Sequence, residues 1–409
     1  MRSAFPTRLA FSEACAILDR VASTSSMPAQ AQPLTRCLGH VLAADLIADF
    51  SLPSFDNSAM DGFAARGADL QARGDTVLTV IGEQFAGASR NLAIGPGQCI
   101  RITTGAPMPA GADTVVIKEN VALHGDQLTV PGPVRIGAHR RSAGEDVRAG
   151  ERVLATGQVL TPAALSLAAA VGCHELSVHR RPTVAIFTTG DELKPPGSSL
   201  VAGEIFDSNR VLLQTLLAAD GFEPVAWPVL PDDPDRILAA LRDAASSFDV
   251  VLTCGGVSAG EKDYLPELLV EHGHVHFWKV MMRPGMPFLA GRLGSAHVLC
   301  LPGNPVSVFA TYLTLARRLL DGIQGRSEPR PRHYARVSAP IAKTHERLEF
   351  LRGVLHCDQG GQLLVAMNPA DGSHRLRAVA ESNALIVVPD GAGQWPAGSV
   401  LEVLPLSGA

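Results

Sequence analysis

The 409-residue sequence has no excess of positive charge and no long uninterrupted apolar stretch. Its formal net charge is −5 at pH 7, so it lacks the basic surface typical of proteins that bind nucleic acid or anionic membranes. The most apolar long segment, residues 160–178, is interrupted by Pro162, Gly172, His174 and Glu175 and is too short for a bilayer span. The first residues do not read as a secretory signal. We therefore expect a cytoplasmic protein that binds neither nucleic acid nor membrane.

Several motif classes are missing as well. The cysteines form no CxxC pair and no histidine lies at metal-ligand spacing, which argues against a structural zinc site and favours a reducing compartment. The chain has no Walker A motif, no GxGxxG motif and no Ser-His-Asp arrangement. Internal repeats and low-complexity tracts are absent too. Any phosphate or other anion must therefore be bound by local groups in some other arrangement.

What the sequence does have is a pattern that changes along the chain. Residues 8–23 have the apolar spacing of an amphipathic helix with Ser12 as its cap. Short β-prone runs follow up to about residue 134, and residues 182–325 alternate strands with helices, which predicts βαβ units and a mostly parallel sheet. After a charged linker at 327–332, further short runs indicate a compact β barrel or sandwich. A chain of this length should form two to four domains.

Three glycine-containing loops directly follow strands of the βαβ region: TTGDEL at 188–193, TCGGVSAGEKD at 253–263 and LPGNPVS at 301–307. Because the carboxyl ends of parallel strands meet at one edge of a sheet, we expect the three loops to lie together there. Their glycines let the backbone approach a ligand and expose N–H groups to a phosphate or another oxyanion: Gly190, Gly255, Gly256, Gly260 and Gly303. Any one loop considered alone could equally be an ordinary strand-to-helix turn.

The third loop leads into a helix. Asn304 can cap this helix while Pro305 occupies its first turn without losing a needed donor. Ser307 would then lie among unpaired helical N–H groups, where an oxyanion such as phosphate would be stabilised. Upstream, Lys279 and Arg283 lie four residues apart before a Pro-Gly turn, although both could be solvated surface cations.

Acidic residues accompany these loops. Carboxylates beside anion-binding loops suit Mg²⁺, which prefers one or two carboxylates together with phosphate oxygens and water. Asp232 or Asp233 could instead cap the helix that follows. The acidic candidates are Asp61, Asp191, Glu192, Asp232, Asp233 and Asp263.

Seven strings, in this order, carry a resemblance to a known family: FDNSAMDGFA, RITTGAPMPAGADTVV, FTTGDEL, FDSN, TCGGVSAGEKDY, FWKVMMRPGMPF and LPGNPVSVF. Together they resemble the MoeA family, the molybdopterin molybdenumtransferases that include the E domain of gephyrin. The motifs span more than 250 residues, and the resemblance covers nearly the whole chain.

The resemblance implies a multidomain α/β protein. Residues 1–51 and 142–178 would form an elongated domain, 52–141 an inserted β-rich domain, 179–326 a molybdopterin-binding α/β domain and 330–409 a C-terminal β-barrel domain. It also implies an elongated homodimer whose active site lies in a cleft formed with help from the second subunit. Other proteins of the molybdenum-cofactor pathway remain open as further partners.

The implied reaction inserts molybdate into adenylylated molybdopterin with release of AMP, needs Mg²⁺ or a similar ion, and gives the molybdenum cofactor. Asp61 and Thr104 would line the cleft from the inserted domain. Glu192, Asp232 and Asp263 would serve the metal or the activated phosphate, with Glu192 and Asp263 as metal ligands. The expected substrate-binding residues are Gly190, Asp191, Gly255, Gly256, Ser258, Lys279, Arg283, Pro302, Gly303, Asn304, Pro305, Ser307, Arg352 and Ser373. Of these, Lys279, Arg283, Ser307, Arg352 and Ser373 would hold the oxyanion.

One position departs from the family pattern. Many relatives have PGKP where this chain has Pro284-Gly285-Met286-Pro287, and the missing lysine is expected to touch molybdate. Either Arg283 compensates or molybdate affinity is weaker, since a thioether carries no charge. Two alternative functions remain open, namely a non-catalytic scaffold of the same fold and a pterin- or nucleotide-binding hydrolase that shares the α/β domain, as in the CinA-like proteins. A preference for molybdate over tungstate is not encoded in any motif.

Overall fold

The computed structural model describes residues 5–406 except 72, 259, 261, 262 and 371. The chain divides into two compact units. The larger unit contains Met1–Gln30, Gly39–Ala43 and His179–Ala409, and the smaller contains Ala31–Leu38 and Ala44–Val178. Among the described helices, none is long and apolar enough to cross a membrane.

The helices are α1 Phe11–Ser23, α2 Pro162–Ala170, α3 Ser208–Ala219, α4 Pro234–Ser247, α5 Leu265–His272, α6 Pro305–Thr311, α7 Arg317–Ile323 and α8 Leu376–Ala380. A π-helical turn, Tyr312–Ala316, joins α6 to α7. Short 3₁₀ turns lie at Leu34–Arg36, Gly67–Leu70 and Lys118–Asn120.

The first strands are β1 Thr7–Leu9, β2 Ala29–Pro33, β3 Leu46–Ile47, β4 Asn57–Ser58, β5 Gly62–Ala65, β6 Thr76–Gln84, β7 Gln98–Ile102, β8 Thr114–Ile117, β9 Ala122–His124, β10 Gln127–Val130, β11 Arg140–Arg141, β12 Arg152–Leu154 and β13 Glu175–His179. The α/β region contains β14 Val184–Thr188, β15 Leu193–Lys194, β16 Ile205–Phe206, β17 Val225–Ala226, β18 Val250–Cys254, β19 His274–Val280, β20 Met282–Arg283, β21 Leu289–Leu293 and β22 Ala296–Leu301. The last strands are β23 His333–Val337, β24 Ile341–Lys343, β25 Leu348–Cys357, β26 Leu363–Met367, β27 Ala384–Val388, β28 Gly393–Trp395 and β29 Val400–Pro405.

A seven-stranded sheet forms the centre of the larger unit, in the order β1-β19-β21-β22-β18-β14-β17. Four of its six neighbouring pairs are parallel, and only β21 runs against its neighbours, which confirms the mostly parallel sheet. Strands β14, β18 and β22 are buried along their whole length, as expected for strands covered on both faces. They are adjacent and parallel, so the loops that follow them lie at one edge.

The helices cover the sheet through two apolar clusters. One contains residues of α1, α3, α6 and α7, and the other contains residues of α4 and α5. The prediction of Ser12 as the cap of the first helix is wrong: residues 7–9 form β1 against β19, and α1 begins only at Phe11. The Ala10 N–H at its start donates to Glu13 Oε2 at 3.1 Å.

The C-terminal strands form a closed barrel. Strands β25, β26, β23, β29 and β27 pair in a ring, because β27 also pairs with β25. This confirms the barrel and excludes the sandwich. The short strand β20 pairs in parallel with β25 and places Arg283 opposite Glu349.

A six-stranded sheet, β8-β5-β7-β6-β10-β9, dominates the smaller unit. Its core contains Leu70, Leu78, Cys99 and Leu128, all at most 1% exposed. Helix α2 begins as its Thr-Pro start predicts, with the Thr161 side chain accepting the Ala164 N–H at 3.2 Å. The boundaries expected for the four domains stay a prediction.

Three histidines and an arginine meet on the larger sheet. His274 pairs with Arg292 across β19 and β21, and Arg292 pairs with His297 across β21 and β22. The His274 and His276 rings are 4.9 Å apart. Burial, reinforced by the charges of His274, His297 and Arg292, lowers the pKa of His276 from 6.5 to about 4.

We predict that this cluster destabilises the larger unit in mild acid. As the pH falls from 6.5 towards 4, the unfolded chain gains a proton on His276 that the native state does not, so the free energy of unfolding decreases. His276→Gln should reduce this loss. Urea unfolding at pH 7 and pH 5, followed by the fluorescence of Trp227, Trp278 and Trp395, would measure it, because all three tryptophans belong to this unit.

His124→Gln, at an exposed position of the smaller unit, is the control and should leave the pH dependence unchanged. If the free energy of unfolding decreased equally from pH 7 to pH 5 in His276→Gln and in the unsubstituted protein, the prediction would be contradicted.

Candidate functional site

The three glycine loops touch one another at the carboxyl edge of the sheet. The Thr189 N–H donates to the Cys254 carbonyl and the Gly255 N–H to the Leu301 carbonyl, each at 3.1 Å. A Cβ added to Gly255 would lie 2.6 Å from Thr189 Oγ1, and one added to Gly303 would lie 3.7 Å from Gly255 Cα. Gly255 and Gly256 also have φ of +96° and +65°, which favour glycine. The loops therefore pack backbone against backbone.

Helix α3 holds the first and third loops. Asp207 caps this helix by accepting the Arg210 N–H at 3.1 Å, and its other oxygen accepts the Thr188 hydroxyl at 2.6 Å. Asn209 Nδ2 donates to the Gly303 carbonyl at 2.6 Å. The FDSN string was recognised in the sequence, but no role was predicted for Asp207 or Asn209. An Asp followed by Ser and Asn before a helical pattern was the available signal.

The acidic candidates have different local roles. Asp233 is the cap of α4 and accepts the Arg236 N–H at 3.0 Å. Of the two residues expected as possible caps of this helix, Asp233 is therefore the cap and Asp232 is not. The Asp232 N–H donates to Asp191 Oδ1 at 3.3 Å, which brings those two residues together. Asp263 Oδ2 accepts the Gly260 N–H at 2.7 Å.

No metal centre built by the protein alone is found among the described residues, since no group of three or more His, Cys, Asp or Glu side chains is placed to hold an ion. In proteins Mg²⁺ commonly takes oxygen ligands from substrate phosphates and water as well as from one or two carboxylates.

A cavity of about 440 Å³ lies beside these loops in the larger unit. Seven of the predicted substrate-binding residues line it, namely Ser258, Arg283, Pro302, Asn304, Ser307, Arg352 and Ser373. The cavity also contains residues that sequence reasoning did not assign: Pro284, Gly285, Met286, Pro287, Arg347, Glu349, Phe350, Leu351 and Gly372. The other predicted substrate-binding residues are not part of its lining, namely Gly190, Asp191, Gly255, Gly256, Lys279, Gly303 and Pro305.

Three arginines give the cavity its positive charge, and two of them are held by contacts with the barrel. Arg352 Nη1 donates to the Gly372 carbonyl at 3.1 Å, and Nη2 donates to the Ala370 carbonyl. Arg283 Nε lies 3.4 Å from Glu349 Oε1. The third, Arg347, has its carbonyl held at 2.8 Å by Lys343 Nζ.

Asn304 departs from its predicted role. It is the N-cap residue of α6 and Pro305 is in the first turn, as expected, but the Asn304 side chain makes no capping hydrogen bond. Its carbonyl accepts the N–H groups of Ser307 and Val308 at 2.9 and 3.0 Å. These backbone bonds close the first turn, and Asn304 lines the cavity.

Lys279 occupies a different position. Its backbone has φ of +67°, which is unusual outside glycine, and its Nζ lies 4.0 Å from the centre of the Trp278 ring. Trp278 Nε1 in turn donates to the Val257 carbonyl of the second loop at 3.0 Å. Lys279 is therefore connected to the loop edge through Trp278.

Asp61 and Thr104 form a cluster of their own in the smaller unit. Asp61 Oδ1 accepts the Thr104 N–H at 2.9 Å and the Thr104 hydroxyl at 3.0 Å, and Oδ2 lies 3.3 Å from Lys118 Nζ. The Thr104 backbone bond, then its hydroxyl and Lys118, lower the pKa of Asp61, so this carboxylate is ionised at neutral pH. Lys118 was not predicted, because nothing in the local sequence connects it to Asp61.

A parallel α/β sheet with glycine loops at its carboxyl edge, next to an arginine-lined cavity, defines a protein that binds an anionic ligand at its strand ends. Comparison with known proteins specifies the family. Residues 9–172 match the family model for the MoeA N-terminal region (domain I and II), 185–322 that for the probable molybdopterin binding domain, and 334–406 that for the MoeA C-terminal region (domain IV).

Individual proteins agree. The chain is 36% identical to a molybdopterin molybdenumtransferase of Haemophilus influenzae, over 91% of this chain and 93% of that protein. It is 37% identical to molybdopterin molybdenumtransferase 2 of Mycobacterium tuberculosis, over 92% and 94%. The crystal structure of a molybdopterin biosynthesis MoeA protein from Pyrococcus horikoshii superposes with a TM-score of 0.83 at 30% identity, covering 97% of this chain and 99% of that one. The chain belongs to the MoeA family.

We predict that Gly255→Ala destabilises the larger unit by about 2 kcal/mol, the combined effect of a strained φ and of contact with Thr189. Gly294→Ala is the matched control, because Gly294 also has positive φ but an added Cβ would meet no atom within 4 Å. It should cost about 1 kcal/mol. Urea unfolding followed by tryptophan fluorescence would compare them, and equal losses would show that close loop packing is unimportant.

Proposed function

We infer that this chain is a molybdopterin molybdenumtransferase, which inserts molybdate into adenylylated molybdopterin, releases AMP and gives the molybdenum cofactor. The observation that carries the inference is the cavity with three arginines beside the glycine loops. Fixed cations and hydrogen-bond donors in a partly enclosed site stabilise a small dianion such as molybdate far better than the same groups in open water. The activity named for the relatives requires such a site.

The oxyanion would be bound by Arg283, Arg352, Ser307 and Ser373, with Lys279 near the second loop as a further cation. Arg352 is held in place before any ligand arrives, because the carbonyls of Ala370 and Gly372 accept from its guanidinium. The Val306 N–H bonds the Ser373 carbonyl at 3.2 Å, so the start of α6 and the loop that contains Ser373 are connected. Such preorganisation lowers the entropy lost on binding.

The phosphates and the pterin would lie along the glycine loops. Gly190, Gly255, Gly256 and Gly303 lack a Cβ and would let the phosphoanhydride approach the backbone closely. The N–H groups of Gly190 and Gly255 already donate to the carbonyls of Leu230 and Leu301. Asp191, Ser258, Pro302, Asn304 and Pro305 would contact the same substrate. Molybdate placed beside the dithiolene sulfurs would form two molybdenum–sulfur bonds as two of its oxygens leave as water, and a water molecule would cleave the phosphoanhydride bond to release AMP.

The carboxylates near these loops fit Mg²⁺. Asp191 and Asp232 are brought together by one hydrogen bond, and one oxygen of Asp263 accepts a backbone N–H, which leaves the other available. Glu192 and Asp263 would hold the ion together with phosphate oxygens. When bound, Mg²⁺ would polarise the phosphoanhydride and neutralise charge on the departing AMP. Asp232 would orient the same phosphate.

Asp61 and Thr104 would complete the active site from the inserted domain. Their mutual hydrogen bonds and Lys118 fix an ionised carboxylate, which is a suitable preorganised group for a cleft. We propose that this cleft is formed with the second subunit of a homodimer and that the protein acts in the cytoplasm. The proposal is supported by the family resemblance, which also leaves room for contacts with other proteins of the pathway.

The decisive experiment is to mix the purified protein with adenylylated molybdopterin and measure AMP release with and without molybdate and Mg²⁺. Release should need both, with molybdenum recovered on the pterin. Asp263→Asn should slow AMP release about 10- to 100-fold, because the negative charge that would hold the ion is lost. The amide oxygen can still accept the Gly260 N–H, so the loop should keep its structure. Asp235→Asn is the control, since it removes the same charge from an exposed position on α4.

The alternatives give different results. Substrate binding without release would indicate a non-catalytic scaffold, and release that is independent of molybdate would indicate a hydrolase. Normal turnover in Asp263→Asn would remove this residue from the metal site.

Met286 lines the oxyanion cavity, so we predict that Met286→Lys lowers the molybdate dissociation constant about five- to tenfold, the effect of roughly 1 kcal/mol from one added charge. Isothermal titration calorimetry would measure it. Met286→Leu, a neutral side chain of similar size, should leave the constant unchanged. Equal affinity in the two variants would show that charge at this position is unimportant.

A further inference from the structure

A carboxylate forms part of the wall of the oxyanion cavity. Glu349 lines the cavity together with the three arginines, and only 7% of the residue is exposed. An acid at such a position opposes the binding of an anion by Coulomb repulsion. Its presence therefore needs a physical reason other than contact with the ligand.

The contacts of Glu349 supply this reason. Oε1 lies 3.4 Å from Arg283 Nε, and Oε2 lies 3.3 Å from His345 Nε2. The carboxylate thus lies between two side chains, with one oxygen directed to each. The parallel pairing of β20 with β25 places Arg283 directly opposite Glu349, so the backbone brings the two together without any adjustment of the loops.

Arg283 is a cation that gains from such support. Its side chain is 42% exposed, whereas that of Glu349 is 9% exposed. An exposed arginine has many rotamers, and fixing one of them when an anion binds reduces the affinity. Contact at Nε restrains the guanidinium, whose two Nη groups are the donors best suited to grip an oxyanion as a pair.

We propose that Glu349 is a positioning residue for oxyanion binding, which acts by holding Arg283 against the cavity wall. The inference rests on the proposed oxyanion site. His345 Nε2 lies near the second oxygen of the carboxylate, so each carboxylate oxygen has a nitrogen of a neighbouring side chain beside it. Met286 adds no charge to this wall, so the orientation of the arginines decides how well the cavity holds its ligand.

The proposal predicts that removing Glu349 weakens molybdate binding, whereas charge repulsion alone predicts that it strengthens binding. If Glu349 only contributed negative charge, its removal would tighten anion binding. If it positions Arg283, Glu349→Ala should raise the molybdate dissociation constant about tenfold, and the loss should depend on Arg283. Glu349→Gln keeps an oxygen that can accept from Nε and should retain most of the affinity.

The test is a double-mutant cycle, with molybdate binding measured by isothermal titration calorimetry on the full chain carrying Glu349→Ala, Arg283→Ala or both. With Arg283 already replaced, Glu349→Ala should no longer raise the dissociation constant, because only the repulsion by its charge is then removed. Glu346→Ala is the matched control, because it removes an exposed acid from the same segment, and it should leave binding unchanged. Thermal unfolding of each variant verifies that it is folded.

Two results would overturn the proposal: tighter binding in Glu349→Ala, or an equal effect of Glu349→Ala whether or not Arg283 is present. If Glu349→Ala does not fold, molybdate binding is measured on Glu349→Gln instead. Tighter binding in Glu349→Gln than in the unsubstituted protein would also overturn the proposal. Failure of the unsubstituted protein to bind molybdate would instead contradict the proposed oxyanion site itself.

Discussion

The short parallel pairing of β20 with β25 is the constraint on which the oxyanion cavity depends. It joins the segment after β19 to the first long strand of the barrel, so that arginines separated by more than sixty positions in the sequence line one cavity. The sheet supplies the glycine loops, and the barrel supplies Arg347, Arg352 and the carboxylate of Glu349. This pairing brings Arg283 together with the two arginines of the barrel.

The three glycine loops pack closely because of strand alignment and the absence of a Cβ at glycine. Parallel β14, β18 and β22 align three loops, but only residues without a Cβ allow them to pack as tightly as Gly255 does on Thr189. Helix α3 then fixes the arrangement from the side, through the Asn209 bond to the Gly303 carbonyl. Backbone groups, the Asn209 amide and the Asp207 carboxylate together hold this edge.

Much of this architecture could be predicted from the sequence. Glycine-rich turns after apolar β runs predict aligned loops, since strand direction determines where they meet. The short runs after the linker predict a barrel or a sandwich, and only the resemblance to the family chooses the barrel. What could not be predicted depends on pairing between distant segments. Glu349 and Arg347 become part of the cavity only when β20 meets β25, and Lys118 meets Asp61 only across the inserted sheet. The Asn304 side chain was assigned to capping because local chemistry favours it, whereas backbone bonds had already closed that turn.

The manner in which Arg352 is held bears on how this region can vary among homologous proteins. Its guanidinium donates to main-chain carbonyls at Ala370 and Gly372, and every residue type provides a carbonyl. Side-chain replacements in that loop therefore leave the acceptors in place. A change in loop length would move both acceptors away from the guanidinium at once. Evolution is accordingly expected to conserve the number of residues between β26 and α8 more strictly than their identities.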